Sequence, residues 1–177
     1  MKLVILDRDG VINHDSDAYI KTPEEWKPLP GSLDAIARLT QAGRHVVVAT
    51  NQAGIGRGLF EMAALNAIHD KMHRAVGQAG GRIDAVFFCP HAPESDCHCR
   101  KPRPGLLEEI GRRYNTGLKG VPSIGDTQRD LDAAATVGAL PMLVLTGNGE
   151  ATRKENRLPP GTQVYADLAE AVSAIVK

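Results

Sequence analysis

Five short apolar runs alternate with stretches of helical periodicity, and this alternation limits the chain to few folds. The runs are Lys2–Leu6, His45–Ala49, Ala85–Phe88, Val121–Ile124 and Pro141–Leu145. Each is too short for a helix and reads as a buried strand. Between them, Ser32–Gln41 places Leu33, Ile36, Ala37 and Leu39 on one helical face, with Gly43 as its stop. Met62–Gln78, Leu106–Tyr114 and Leu131–Val137 read as helices in the same way, and Asp167–Val176 is a closing helix with Asp167 as N-cap. Strand-helix alternation of this kind predicts an α/β fold: a Rossmann-like, doubly wound, mostly parallel sheet with helices on both faces. Residues 14–30 carry Pro23, Pro28 and Pro30 and are expected to be irregular. Residues 53–58, with three glycines, are expected to form a tight loop, residues 90–104 a proline-rich loop, and residues 146–161 a polar, mobile stretch. There is no internal repeat.

A chain of 177 residues predicts a single domain over 1–177, with no room for a large inserted cap. Lys+Arg and Asp+Glu both number 21, so no broad basic face is available for nucleic acid. Aromatics are 4%, too few for base-stacking platforms. No apolar run is long enough to cross a membrane, and Asp7 and Asp9 cut off the only apolar stretch near the start. The expectation is a cytoplasmic protein with a small anionic ligand, no nucleic-acid partner and no membrane partner.

The polar residues that follow the strands are the chemically interesting ones. Asp7-x-Asp9 leaves the first run, Thr50-Asn51-Gln52 the second, Cys89 closes the third, and Gly125-Asp126 leaves the fourth. Ligands of open α/β sheets bind outside the carboxyl ends of the strands, so these segments converge on one crevice. Asp7 and Asp9, with Asp126, suit a hard cation such as Mg²⁺. Taken alone, Asp7 and Asp9 are equally good turn formers before Gly10. Lys101, in Arg100-Lys101-Pro102-Arg103-Pro104, taken alone is a solvated basic loop. Their occurrence in order after successive elements favours function. Thr50 and its neighbouring amide, followed by glycines, suit a phosphoryl group.

Cys89-x-His91-x5-Cys97-x-Cys99 offers three thiolates and one imidazole. That set suits a closed, tetrahedral, structural Zn²⁺ site at about residues 89–101, with no open position for catalysis. His98, between two ligands, is expected to point away.

The set Asp7-Arg8-Asp9-Gly10, Thr50-Asn51-Gln52, Lys101-Pro102 and Gly125-Asp126-x-x-x-Asp130 resembles the four motifs of the haloacid-dehalogenase (HAD) phosphatase superfamily, over residues 3–147. The cysteine loop narrows the resemblance to a branch whose members act on histidinol phosphate or on the 7-phosphate of heptose bisphosphates. The run Gly54-Ile55-Gly56-Arg57-Gly58 is similar to the heptose members, which serve nucleotide-heptose synthesis for lipopolysaccharide core or S-layer precursors. The resemblance implies that Asp7 attacks phosphorus and that Asp9 is the acid and base. It implies that Asp7, the backbone carbonyl of Asp9, and Asp126 hold Mg²⁺, and that Thr50 and Lys101 hold the phosphoryl oxygens. It further implies that Asp15, Asp17, Asn51, Gln52, Arg100 and Thr127 meet the sugar phosphate substrate, and that the protein is a monomer. Ala53 departs from the serine usual at that place, which puts one loop contact in doubt. A histidinol-phosphate phosphatase, a DNA-end phosphatase and a non-catalytic zinc-stabilised binding module are the competing readings.

His69 and His73, four apart on a predicted helix, lack a third ligand and read as a solvated or satisfied pair. The glycines at 54, 56 and 58 do not spell a dinucleotide site.

Overall fold

The computed structural model describes residues 2–177. Six strands form one sheet: β1 (Leu3–Leu6), β2 (His45–Asn51), β3 (Ala85–Cys89), β4 (Pro122–Gly125), β5 (Leu140–Val144) and β6 (Gln163–Tyr165). Their order is β3-β2-β1-β4-β5-β6, and every pairing is parallel. The chain starts in the centre, winds outward to β3, then crosses back to β4 beside β1. That reversal is the topological switch point, where the splayed loops of an open α/β sheet leave a crevice.

The helices are α1 (Ser32–Gln41), α2 (Ala53–Gly56), α3 (Met62–Gln78), α4 (Gly105–Arg113), α5 (Gln128–Thr136), α6 (Gly149–Lys154) and α7 (Leu168–Ile175). The alternation of side chains in β1 divides the core. Val4 and Leu6 pack in the layer with Ile36 and Leu39 of α1, Ile68 and Met72 of α3, and Val172 of α7. Leu3 and Ile5 pack on the other face with Leu107 and Ile110 of α4 and Ala133 and Ala134 of α5. Both faces of the sheet are covered, which is why its strands read as continuous apolar runs.

Residues 14–30 hold only a 3₁₀ turn at Pro23–Glu25, yet the segment is anchored. Trp26 is fully buried, and Lys71 of α3 donates from Nζ to the carbonyls of Pro23 (2.7 Å) and Trp26 (2.8 Å). This fixes the excursion over the carboxyl end of the sheet without regular structure.

Two expectations are corrected. Residues 53–58 are not simply a tight loop, because Ala53–Gly56 makes the helical turn α2. A Cβ at Gly56 would collide with the backbone of Pro90 and Ala92, so this glycine lets α2 lie directly on the cysteine loop. The polar stretch 146–161 is not devoid of structure, because it contains α6. Buried Thr152 ties α6 inward, donating to the backbone carbonyl of Asp126 at 2.7 Å. β6 adds a sixth strand at the sheet edge that the apolar pattern did not announce: Gln163 and Val164 are exposed and Tyr165 is only partly buried.

Candidate active site

Asp7 is the first residue after β1, and its N–H donates to the carbonyl of Ile124 in β4 (2.9 Å). The switch point therefore carries the carboxylate itself. Lys101 crosses the crevice from below. Its Nζ lies 3.1 Å from Asp7 Oδ1 and 2.7 Å from Asp130 Oδ1, and donates to the carbonyl of Ala49 at 2.6 Å. Burial opposes the Lys101 charge, but Asp130 and Asp7 outweigh it and hold its pKa above the ordinary lysine value. Lys101 is thus a fixed buried cation rather than a solvated loop residue.

Asp130 is committed to other groups. It opens α5 in a capping box with Thr127, and its Oδ2 accepts from the N–H groups of Asp126 and Thr127 (3.1 Å each) and from Thr127 Oγ1 (2.9 Å). Burial works against its charge, but Lys101 prevails and lowers its pKa. Thr127, expected to reach the substrate, lines the pocket but spends its hydroxyl on this cap.

Asp126 differs. Its Oδ2 accepts from the Asn148 N–H (2.8 Å), while its buried Oδ1 has no hydrogen-bond partner. Gly10, in the left-handed region at φ 85°, and Gly147 lie so close to this carboxylate that a Cβ at either would overlap it. Burial, then repulsion from Asp7 and Asp130, raises Asp126 to about 9. Burial, then Asp130, raises Asp7 to about 7. Carboxylate oxygens of Asp7, Asp126 and Asp130 all lie within 4.8 Å of one another. An orphaned buried oxygen beside a second crowded carboxylate is what a divalent cation would satisfy.

Asp9 lines the same pocket but is not part of this carboxylate cluster. Its Oδ1 accepts from Arg8 Nε (2.9 Å) and Asn13 Nδ2 (2.9 Å). Gln52, expected at the substrate, is buried and does not line the pocket: Nε2 donates to Thr50 Oγ1 (2.9 Å) and approaches Asp9 Oδ2 at 3.5 Å. The extended backbone that sends Asn51 toward the pocket sends its neighbour inward. Asn51 lines the pocket and also grips Lys101, donating to its carbonyl (3.1 Å) and accepting from its N–H (3.0 Å).

These groups open into a pocket of about 240 Å³, lined also by Asp15, Asp17, Thr50, Ala53 and Arg100. Sequence reasoning missed Arg129, Asn148 and Tyr19, which line it too. Arg129 sits in the first turn of α5, next to the aspartate of the fourth motif, and that position was the available signal. Arg100 lines the same pocket as Arg129, and burial, then the charge of Arg129, lowers its pKa.

The four expected zinc ligands also meet. Cys89 Sγ lies 3.7 Å from Cys97 Sγ, 3.4 Å from His91 Nδ1 and 2.8 Å from Cys99 Sγ, and His91 Nδ1 lies 3.2 Å from Cys99 Sγ. The edges of a tetrahedron with metal–sulfur bonds of about 2.3 Å and metal–nitrogen bonds of about 2.0 Å are roughly 3.5–3.8 Å, so the four ligand atoms already converge and would close around one ion with Cys99 moved outward from Cys89 and His91. Burial leads in raising the Cys89 thiol to about 12, a cost that a cation would remove. His98 points away, 2.8 Å from Glu108.

Residues 98–171 match the HAD-hydrolase-like family model, and residues 2–128 match the polynucleotide kinase 3 phosphatase model. With its switch-point aspartates and buried lysine, the chain belongs to the HAD-type phosphatases. The full-length relatives narrow this. It is 59% identical over 177 residues, covering 100% of this chain and 99% of the relative, to a D-glycero-beta-D-manno-heptose-1,7-bisphosphate 7-phosphatase of Bordetella bronchiseptica. It is 52% identical to one from Pseudomonas putida, covering 99% of this chain and 100% of that one. A crystal structure of D,D-heptose 1,7-bisphosphate phosphatase from B. bronchiseptica, complexed with magnesium and phosphate, superposes with a TM-score of 0.98 at 60% identity, covering 99% of this chain and 98% of that one. Within the HAD phosphatases, the chain belongs to the D-glycero-β-D-manno-heptose-1,7-bisphosphate 7-phosphatase family.

Proposed function

We propose that this chain is a Mg²⁺-dependent phosphatase that removes the 7-phosphate of D-glycero-β-D-manno-heptose 1,7-bisphosphate. The observation that carries this reading is the triangle of Asp7, Lys101 and the orphaned Oδ1 of Asp126 at the switch point. Asp7 attacks phosphorus, the bond to the sugar oxygen breaks, and an aspartyl-phosphate forms. Asp9 gives its proton to the leaving oxygen, then takes one from the water that releases phosphate. Lys101 and Thr50 hold the phosphoryl oxygens. Asp7, Asp126 and the Asp9 carbonyl hold Mg²⁺, which neutralises charge on the phosphoryl oxygens. Without two cations, an anionic nucleophile would face a dianionic ester unaided.

The pocket mouth supports a bisphosphate. Arg100 and Arg129 both line the pocket, and neither forms an ion pair among the described residues. A retained phosphate at the far end of the sugar would meet both. Asp15 and Asp17 line the same pocket and would meet sugar hydroxyls. Zn²⁺ held by Cys89, His91, Cys97 and Cys99 would fold the loop that delivers Arg100 and Lys101. The proposed phosphatase is one domain over residues 1–177 and, as the family resemblance implies, a monomer. Among the described residues, no helix is long and apolar enough to cross a membrane.

The test is phosphate release with Mg²⁺ from both anomers of the heptose bisphosphate, histidinol phosphate and a 3′-phosphorylated DNA. The expected result is the highest kcat/KM for the β anomer. Preference for histidinol phosphate or DNA would overturn the substrate assignment.

A further inference from the structure

Arg8 is fully buried, although it sits between the two aspartates of the first motif. A guanidinium is always charged, has five donors and no acceptor, and is costly to bury unless its donors are used. Three acceptors surround it. Asp9 Oδ1 takes Nε and lies 2.9 Å from NH2. Gln52 Oε1 takes NH2 at 3.4 Å. His69 Nε2, from the buried face of α3, lies 3.1 Å from NH1. Because the guanidinium can only donate, His69 Nε2 must carry a lone pair, so the ring is neutral with its proton on Nδ1. Burial, followed by the nearby Arg8 charge, pushes His69 down to about 3, in keeping with that assignment.

The consequence falls on Asp9. Its Oδ1 is saturated by Arg8 and by Asn13 Nδ2, whereas Oδ2 has only the 3.5 Å approach of Gln52 Nε2. Only Oδ2 is free to carry a proton to and from the pocket. We propose that Arg8 and His69 are positioning residues: the neutral imidazole holds the guanidinium, and the guanidinium holds Oδ1, so that Oδ2 alone faces the leaving oxygen. In the first step Oδ2–H gives its proton to the sugar oxygen as the phosphorus–oxygen bond breaks. In the second, Oδ2 takes a proton from water as water attacks the aspartyl-phosphate. His69 never touches substrate.

The proposal rests on the phosphatase reading, and leaving-group dependence tests it separately. A sugar alkoxide needs a proton to leave, whereas p-nitrophenolate does not. Single-turnover rates with Mg²⁺ are compared for the heptose bisphosphate and p-nitrophenyl phosphate in wild type, His69→Leu, His69→Met and His69→Gln, per mole of folded protein. Leu and Met lack a good acceptor for NH1, while Gln supplies one. The expected result is a loss of about 10–100-fold on the bisphosphate for Leu and Met, with KM little changed. The first p-nitrophenol release slows by less than about threefold, and Gln recovers most of the rate on the bisphosphate. Equal slowing of both esters, or a Gln variant as slow as Leu, would overturn the positioning role. A wild type silent on both esters would count against the phosphatase reading instead.

Discussion

The carboxamide of Asn51 pairs with both backbone polar groups of Lys101, accepting from its N–H at 3.0 Å and donating to its carbonyl at 3.1 Å. β2 ends at Asn51, so a rigid central strand fixes the one lysine that bridges Asp7 and Asp130. The loop carrying Lys101 needs such a tie, because residues 90–104 form neither helix nor strand.

Asn51→Ala removes both bonds and frees that loop. The expected outcome is a fall in kcat of about 10–100-fold, since a catalytic group displaced by about 1 Å costs on that order. Steady-state kinetics alongside a thermal melt check it. A kcat unchanged in a folded variant would contradict the clamp.

Magnesium should stabilise the protein more as pH rises. Asp7 and Asp126 keep their protons in the metal-free fold to about 7 and about 9, against 3.8 when unperturbed. Across that window the folded state binds more protons than the unfolded chain, so metal-free stability falls as pH rises. A cation binds the ionised forms and removes the penalty. The rise in Tm with Mg²⁺ should therefore grow from pH 5.5 to pH 9 (measured by calorimetry), and should nearly vanish in Asp126→Asn. A pH-independent rise would count against these ligands.

His69 contributes the opposite slope. Its folded pKa of about 3 lies below the ordinary 6.5, so the unfolded chain gains a proton that the fold refuses. Between pH 7 and pH 5 this removes about 2 kcal/mol of stability. Denaturant titrations of wild type and His69→Gln at both pH values should differ by about that amount in their pH response, the variant losing less. Identical responses would show that His69 is protonated in the fold.

Much of the fold was legible because both faces of the sheet are buried. Strands such as Val46–Val48 become continuous apolar runs, and α3 was bounded at Met62 and Gln78 by its periodicity alone. β6 was not legible, since an edge strand with Gln163 and Val164 exposed carries no apolar run. The turns α2 and α6 were hidden because Gly56 and Gly149 owe their identity to close backbone contacts with other segments. The expected ligand sets of Asp7 with Asp126, and of the three cysteines with His91, do converge. The inward turn of Gln52 was hidden, because its approach to Asp9 is a long-range contact, whereas the cap made by Thr127 is local, a capping box with Asp130 three residues on.

Removing zinc should act on Lys101 at a distance. The loop from Pro90 to Cys99 has no strand or helix, so the ion would supply much of its folding free energy. Metal analysis of protein prepared without chelator should find about one Zn²⁺ per chain. Cys97→Ser should lower Tm, increase hydrogen exchange over residues 89–101 and reduce kcat while Mg²⁺ is saturating. Zinc-free protein with native exchange in that loop would contradict the assignment.

The central claim is that Asp7 carries the phosphoryl group, and rapid acid quench during turnover of the bisphosphate tests it most directly. The account predicts a transient acyl-phosphate whose mass maps to the peptide containing Asp7, absent in Asp7→Asn. Release of phosphate at the wild-type rate by Asp7→Asn, or a phosphoryl group on any other residue, would contradict it.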